Sequence, residues 1–347
     1  MKKKEVLYSL ISVLLAVISI WAVVSQTRNY SFDNLVRFFS EANPIGITAA
    51  VICMLGYIVF EALAILTVLK AFGYKRRFNK GIIYSAADIY FSAITPSASG
   101  GQPASAFFMG FDGIPTGVVT VTLILNLVMY TASIISIGFV ALIINPDLFY
   151  HFETFSKVLI LVGYIILSLL IVFFIMLIKN EKIVYKIGMA LISILSKIHI
   201  IRDKKSYEAR LEKIIEDYKK CSGMIDGQRA MLVKCFLCNL AQRLSQILVP
   251  VMVFLADGGR IKGAVNVFVT QVYTTIGSNI VPIPGAMGVS DYLLIDGLRD
   301  LMSVEDATNM ELASRGISFY SCVLISIIIV AVGYFAVKNK NSKMNND

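Results

Sequence analysis

Thr95-Pro96-Ser97-Ala98-Ser99-Gly100-Gly101-Gln102-Pro103 breaks an apolar stretch that runs from residue 81 to about 111, and Val281-Pro282-Ile283-Pro284-Gly285-Ala286-Met287-Gly288 breaks another that starts at 261. Proline and glycine at this density stop a helix, and each break leaves apolar pieces too short to cross a bilayer independently. Each stretch therefore reads as a helical hairpin that goes into the membrane and returns to the side it came from, over 81–111 and 261–295. Unwound backbone at membrane depth is tolerated only inside protein or beside a wet cavity, so the two breaks point to a shared polar chamber.

Outward from the hairpins, unbroken apolar runs lie at about 6–25, 45–69, 117–144, 157–178, 230–255 and 316–337, each near the roughly 20 residues that a membrane helix needs. The composition agrees: 57% of residues are hydrophobic, 16% are charged, and mean hydropathy is +0.74, which excludes an ordinary soluble domain. The first run reads as a retained span rather than a secretory signal, because it is long and no small-residue cleavage site follows it. The expected fold is an all-α polytopic membrane protein with about six full spans and two oppositely oriented re-entrant hairpins, about eight membrane segments in all.

Positive residues flanking membrane spans mark the cytoplasmic side. Lys2, Lys3 and Lys4 place the N-terminus there, and the cluster Lys70, Lys75, Arg76, Arg77 and Lys80 returns to the same side after the second run. With the first hairpin opening inside, the Lys-poor loop 145–156 lies outside and the basic stretch from Lys179 to Arg229 lies inside. The second hairpin then opens outside, the acidic loop with Asp296, Asp300, Glu305, Asp306 and Glu311 is external, and Lys338, Lys340 and Lys343 end the chain inside. This is the pattern of a bacterial inner-membrane protein with both termini cytoplasmic.

One integral-membrane domain over 1–347 is expected, in two halves: 1–178 with one hairpin and 230–347 with the other. Their opposed orientations point to an inverted repeat. Between them, 179–229 carries an interfacial helix with Lys182, Lys186, Ser193 and Lys197 on one face and Ile183, Ile187, Leu191 and Ile194 opposite. A charged helix follows, with Tyr207, Leu211, Ile214, Ile215 and Tyr218 at helical spacing for docking on the membrane part.

Polar side chains inside apolar runs are costly, so those present mark candidate binding positions. Glu61 stands in the second run. Asn239, Gln242, Arg243 and Gln246 fall at i, i+3, i+4 and i+7 of the run at 230–255 and so share one helical face. Arg243 suits a phosphate through its planar fork of donors, and a structural ion pair between Arg243 and Glu61 is the alternative. Thr122, Asn126, Tyr130 and Ser133 form a second stripe; Ser85, Asp88 and Ser92 lead to the first break, and Gln271, Thr274, Thr275 and Ser278 to the second. Hydroxyl stripes of this kind also serve simply to bond helices together. The half-helices starting near Pro103 and Val289 would aim backbone N–H groups at an anion.

Other chemistries are excluded or unsupported. The net charge of +9 sits in loops beside the spans, where orientation and anionic lipid explain it, so nucleic acid is not the expected partner. Five scattered cysteines form no disulfide framework, and Cys235 with Cys238 lacks the further ligands that zinc would want, given only His151 and His199. No metal and no cofactor are expected. Asp88, Asp112 and Asp291 could act as acids or bases, but no catalytic constellation emerges and the catalytic residues are unknown.

At the two breaks the sequence resembles the integral-membrane region of the lysylphosphatidylglycerol synthase/flippase family and its stand-alone relatives, over nearly the whole chain. Thr95-Pro96 with Gly100-Gly101-Gln102-Pro103 is similar to the family's first motif, and Pro282-Ile283-Pro284-Gly285-Ala286-Met287-Gly288 to its second. Asp291 stands where family members usually carry Glu, and Arg315 with Phe319-Tyr320 resembles the Arg and aromatic pair that opens the last span. The resemblance implies movement of anionic or aminoacylated phospholipid, such as lysylphosphatidylglycerol, between leaflets. It also implies a soluble lysyltransferase domain in full-length members, which is not expected here, so a separate synthase would be the partner.

The leading expectation is thus a lipid flippase whose headgroup site is drawn from Glu61, Asp88, Thr95, Gly100, Gly101, Gln102, Asn126, Asn239, Gln242, Arg243, Gln246, Ser278, Pro284, Gly285, Gly288, Asp291 and Arg315. The alternatives are the membrane part of a phosphatidylglycerol lysyltransferase system or another lipid-linked transferase, and an ion-coupled carrier of a small solute.

Overall fold

Helices make up the regular structure in the residues that the computed structural model describes, 32–95, 98–197 and 204–344, with no strand among them. In chain order they are α1 (Phe32–Glu41), α2 (Pro44–Ala71), α3 (Phe78–Ile94), α4 (Gly101–Phe111), α5 (Thr116–Ile144), α6 (Leu148–His151) and α7 (Thr154–Lys179). There follow α8 (Glu181–Lys197), α9 (Lys204–Ile225), α10 (Arg229–Ala256), α11 (Ile261–Ser278), α12 (Val289–Leu298), α13 (Val304–Arg315) and α14 (Cys322–Met344). A π-helical turn at Gly316–Ser321 joins the last two into one rod.

Five helices are long and apolar enough to cross a membrane: Pro44–Ala71, Thr116–Ile144, Thr154–Lys179, Arg229–Ala256 and Val304–Phe335. They answer to five of the six expected runs; the sixth, 6–25, lies outside the described residues together with the lysines before it. Their outer surfaces fit a hydrocarbon solvent. α7 exposes Phe155, Leu161, Ile165 and Leu169, and α14 exposes Leu324, Ile328 and Val332, a continuous apolar surface that water would not tolerate.

Local sequence explains the ends. Asn43 caps α2, its side chain accepting from the Ile45 N–H at 2.9 Å, and Pro44 occupies the first helical position, where a missing N–H costs nothing. The last rod differs from expectation. Its helix begins at Val304 rather than near 316, because the Ser303 hydroxyl accepts from the Asp306 N–H at 3.1 Å and opens a helix twelve residues earlier. Glu305, Asp306 and Glu311 are accordingly helical, and Asp296 is buried on α12, so the expected external acidic loop shrinks to residues 299–303.

Polar contacts define the two ends of the bundle. At one, Asn43 N donates to Ala256 O (2.8 Å), Asn145 Nδ2 to Asn266 Oδ1 (3.0 Å) and Glu153 N to Asp296 Oδ2 (2.9 Å). At the other, Lys80 pairs with Asp112 at 2.7 Å and Tyr218 OH donates to Leu177 O at 2.8 Å, with α9 lying against α5. The charged helix is held there by Tyr218. The α3–α4 pair therefore has its open end at the second of these ends and the α11–α12 pair at the first, so the two broken pairs point in opposite directions.

The apolar core is not continuous. One cluster holds Ile65, Leu69, Tyr84, Met109, Val121 and Cys235; another Met54, Ile58, Val249, Val267 and Leu294; a third Ile134, Ile160, Ile247 and Ile276. On α2 the first two clusters stop on either side of Glu61, and on α10 they stop on either side of the stretch from Asn239 to Gln246. The polar residues fill a layer between apolar blocks.

Candidate functional site

Helical spacing determines which side chains reach that layer. Residues one turn apart on α10 turn the same face inward, and Asn239, Gln242 and Arg243 are all 2% exposed or less. Arg243 lies about 20 Å from either end of its helix. Pro250, inside α10, lacks the N–H that would bond the Gln246 carbonyl, which loosens the ladder beside Arg243.

Glu61 and Asp88 form the acidic part. Glu61 Oε2 accepts from Ser85 Oγ (3.1 Å) and Gln242 Nε2 (3.1 Å), and Ser85 also donates to the Ile58 carbonyl at 2.9 Å. Asp88, one turn beyond Ser85, accepts from Ser92 Oγ (3.0 Å) and Gln102 Nε2 (2.6 Å). The two carboxyls are neighbours in the same buried layer, since Ser85, bonded to Glu61, stands one turn before Asp88, and each acts electrostatically on the other. Gln102 thus ties the first break to Asp88. The Thr95 hydroxyl donates to Phe91 O (2.6 Å) and accepts from the Gly100 N–H (2.8 Å), holding the turn between α3 and α4.

Gly101 makes this closure possible. A Cβ there would run into Asp88 Oδ1 and Ser92 Oγ, so only glycine lets α4 lie against α3 at this point. Gly101→Ala is expected to lower stability by about 1–3 kcal/mol through overpacking. Gly110→Ala on the same helix meets nothing within 4 Å and is expected to raise it by about 0.5–1 kcal/mol. Thermal unfolding in detergent compares the two.

Arg243 forms the basic part, and it does not pair with Glu61. Its guanidinium lies over the Tyr130 ring at 4.1 Å and the Tyr57 ring at 4.8 Å, while Nη1 donates to Gln246 Oε1 (2.7 Å) and Tyr130 OH (3.3 Å). Nε and Nη2 are buried and make no hydrogen bond of good geometry, with the Tyr57 phenol the polar group beside the guanidinium, and the acceptors Gln242 Oε1 and Asn239 Oδ1 are likewise unbonded. A buried guanidinium with two unspent donors is costly unless something accepts from it. Tyr130 OH also accepts from Asn279 Nδ2 at 3.0 Å, which connects Arg243 to the chain just past α11. Asn239 Nδ2 donates to Asn126 Oδ1 (3.0 Å) one turn away.

The second break carries a separate ionic cluster. Arg315 Nε donates to Asp291 and, at 3.0 Å, to Glu311, and its Nη2 donates to Ser290. Asp291 Oδ2 also accepts from the Gly288 N–H at 3.0 Å, capping α12. Gly285 has φ +61° and its missing Cβ leaves room for the Phe319 ring. Ser278 is buried at the end of α11, its carbonyl accepting from Val281 N at 3.1 Å. Pro284–Ala286 pack against α3, so the second break leans on the helix that carries Asp88, and the π turn touches α2 and α10, which carry Glu61 and Arg243.

The structure therefore joins Glu61, Asp88, Gln102 and Gln242 in one group and Arg243 with Gln246 in the next, with Asn126–Asn239 a turn away. It keeps Gly288, Asp291 and Arg315 in a cluster of their own. Sequence reasoning missed Tyr57 and Asn279. Tyr57 stands one turn before Glu61, so extending that face by a turn would have found it, whereas Asn279 follows Ser278 just past the end of α11, where helical spacing gives no direction. An open cavity of about 370 Å³, lined by Phe254, Arg260, Lys262, Gly263, Asn266 and Leu301, lies at the end of the bundle, roughly 16 Å along α10 from Arg243 and apart from the polar layer.

Comparison with protein families matches residues 9–326 to the lysylphosphatidylglycerol synthase TM region. Among curated proteins none matches the chain.

Proposed function

The chain belongs to the family of the lysylphosphatidylglycerol synthase transmembrane region, a multi-pass membrane family associated with lipid, and from that premise we propose that it moves an anionic or aminoacylated phospholipid between leaflets. The phosphate is held by Arg243, between Tyr57 and Tyr130, and the rest of the headgroup lies along Gln242, Asn239 and the Glu61–Asp88 group while the acyl chains stay in the bilayer. α3–α4 and α11–α12 act as re-entrant hairpins of opposite orientation, one in each half of a single domain, with 179–229 on the cytoplasmic face of a bacterial inner membrane.

The observation that carries this reading is the pair of unbonded donors on Arg243, 2% exposed and near the middle of its helix. A planar cation in that condition matches a phosphate diester, which can accept from both nitrogens at once. The opposed open ends of the two broken pairs support alternating access about this point.

The test is leaflet transfer of a labelled phospholipid by purified protein in proteoliposomes, over a panel of headgroups. If Arg243→Ala and Glu61→Gln both transfer lipid at the native rate, the site is wrongly placed. Formation of a new aminoacyl lipid from lysyl-tRNA, without redistribution of existing lipid, would favour a transferase instead. Uptake of a water-soluble solute under an ion gradient would favour a small-solute carrier.

A further inference from the structure

Energy for directed transfer has to come from somewhere, and the contact between Glu61 and Asp88 bears on it. The two side chains are 5% and 6% exposed. The partners of Glu61 are the hydroxyl of Ser85 and the amide of Gln242, and those of Asp88 are the hydroxyl of Ser92 and the amide of Gln102. No cation forms an ion pair with either among the described residues: Arg243 acts on both electrostatically but spends Nη1 on Gln246 and Tyr130. Two carboxylates in contact away from water repel, and a proton between them turns that repulsion into a hydrogen bond. The Gln242 amide, 2% exposed and bonded to Glu61 through Nε2, keeps a buried Oε1 without a donor beside the pair. The other titratable groups close to Glu61 and Arg243 are the phenols of Tyr57 and Tyr130 and the thiol of Cys322.

Resting on the transporter reading, we infer that Glu61 and Asp88 are a proton-carrying pair that couples leaflet transfer to a proton gradient through the Gln102 bond. The bond makes hairpin position and proton count depend on each other. With α4 closed on α3, Asp88 accepts from Gln102 and the pair holds one proton. When α4 moves off α3 and the Gln102 donor is lost, the pair takes a second proton from water on one side. Closure restores the Gln102 bond and returns one proton to water on the other side, so one proton crosses per cycle and no bond other than O–H is made or broken.

Infrared difference spectra of the full-length protein read the pair directly. A protonated-carboxyl band is expected at neutral pH and is lost in Glu61→Gln and in Asp88→Asn; Gln102→Ala, which keeps both carboxyls, shifts the pH at which it titrates. A spectrum without the band, or one that neither carboxyl variant alters, overturns the pair. In proteoliposomes, a pH gradient of two units is expected to shift the leaflet ratio of labelled lipid by up to about 100-fold for one proton per lipid, and an equal sodium gradient leaves it unmoved. Transfer that proceeds with the same leaflet ratio with and without the pH gradient overturns the coupling and leaves the transporter reading standing. No transfer of any headgroup overturns that reading and the coupling with it.

Discussion

Arg243→Ala is expected to slow leaflet transfer of a labelled phospholipid by roughly 10²- to 10⁴-fold. The range follows from two charge-assisted hydrogen bonds to phosphate, each about 1.5–3 kcal/mol, at roughly 1.4 kcal/mol per factor of ten. Fold stability should suffer far less, because the residue's own protein contacts are two aromatic faces, Gln246 and Tyr130, and the variant also removes a buried charge that has no ion-pair contact among the described residues. Arg243→Lys keeps the charge without the planar fork and should fall between the two. Initial transfer rates in proteoliposomes, set beside thermal unfolding in detergent, separate loss of the headgroup contact from loss of the fold.

Arg315→Ala is expected to have the opposite profile, with the largest effect on stability, about 3–5 kcal/mol. The side chain binds Asp291, Glu311 and Ser290, and both it and Glu311 are 8% exposed. Removing the one cation strands two carboxylates against each other at the place where α12 starts, and Asp291 is also the cap of that helix. A control distinguishes charge from packing: Arg315→Leu combined with Asp291→Asn and Glu311→Gln should regain most of the lost stability, since a neutral cluster of similar volume carries no stranded charge. Unfolding midpoints of the three proteins decide it, and equal midpoints for the single and triple variants would show that charge is not what the arginine supplies.

Much of this architecture is legible along the chain for a simple reason: a bilayer demands long apolar segments, and the sequence marks where each begins. The runs expected at 117–144 and 230–255 correspond to helices over Thr116–Ile144 and Arg229–Ala256. The rod at the end was the hard case. Glu305, Asp306, Glu311 and Arg315 lower the hydropathy of its first three turns, although Arg315 and Glu311 bond to each other and to α12. Only the Ser303-x-x-Asp306 spacing, a capping signal, announced the earlier start.

Within the candidate site, period gave the face and not the partner. The stripe Asn239, Gln242, Arg243 and Gln246 turns inward as its spacing required. The ion pair weighed for Arg243 and Glu61 is replaced by Gln242 on Glu61 and two tyrosines around Arg243, because which residue at i or i+1 meets a given neighbour depends on helix rotation and offset, and these are tertiary quantities. Asn279 lies beyond the last helical residue of α11, where periodicity no longer says which way a side chain points.

The π turn at Gly316–Ser321 acts as a phase element in the last rod. A turn of this type holds one residue more than its neighbours, so the angular position of every side chain after it is offset by about 100° from where a regular helix begun at Val304 would put it. Upstream of that offset the rod presents Glu311 and Arg315 to α12; downstream it presents Cys322 to the interior and Leu324, Ile328 and Val332 outward. Chain length between Arg315 and Cys322 and the type of turn that joins them are therefore matched to each other. Forcing the turn into a regular α-helical ladder with all its residues kept would aim the wrong side of α14 at the hydrocarbon, whereas losing one residue there would restore a regular ladder and leave the outward face where it is.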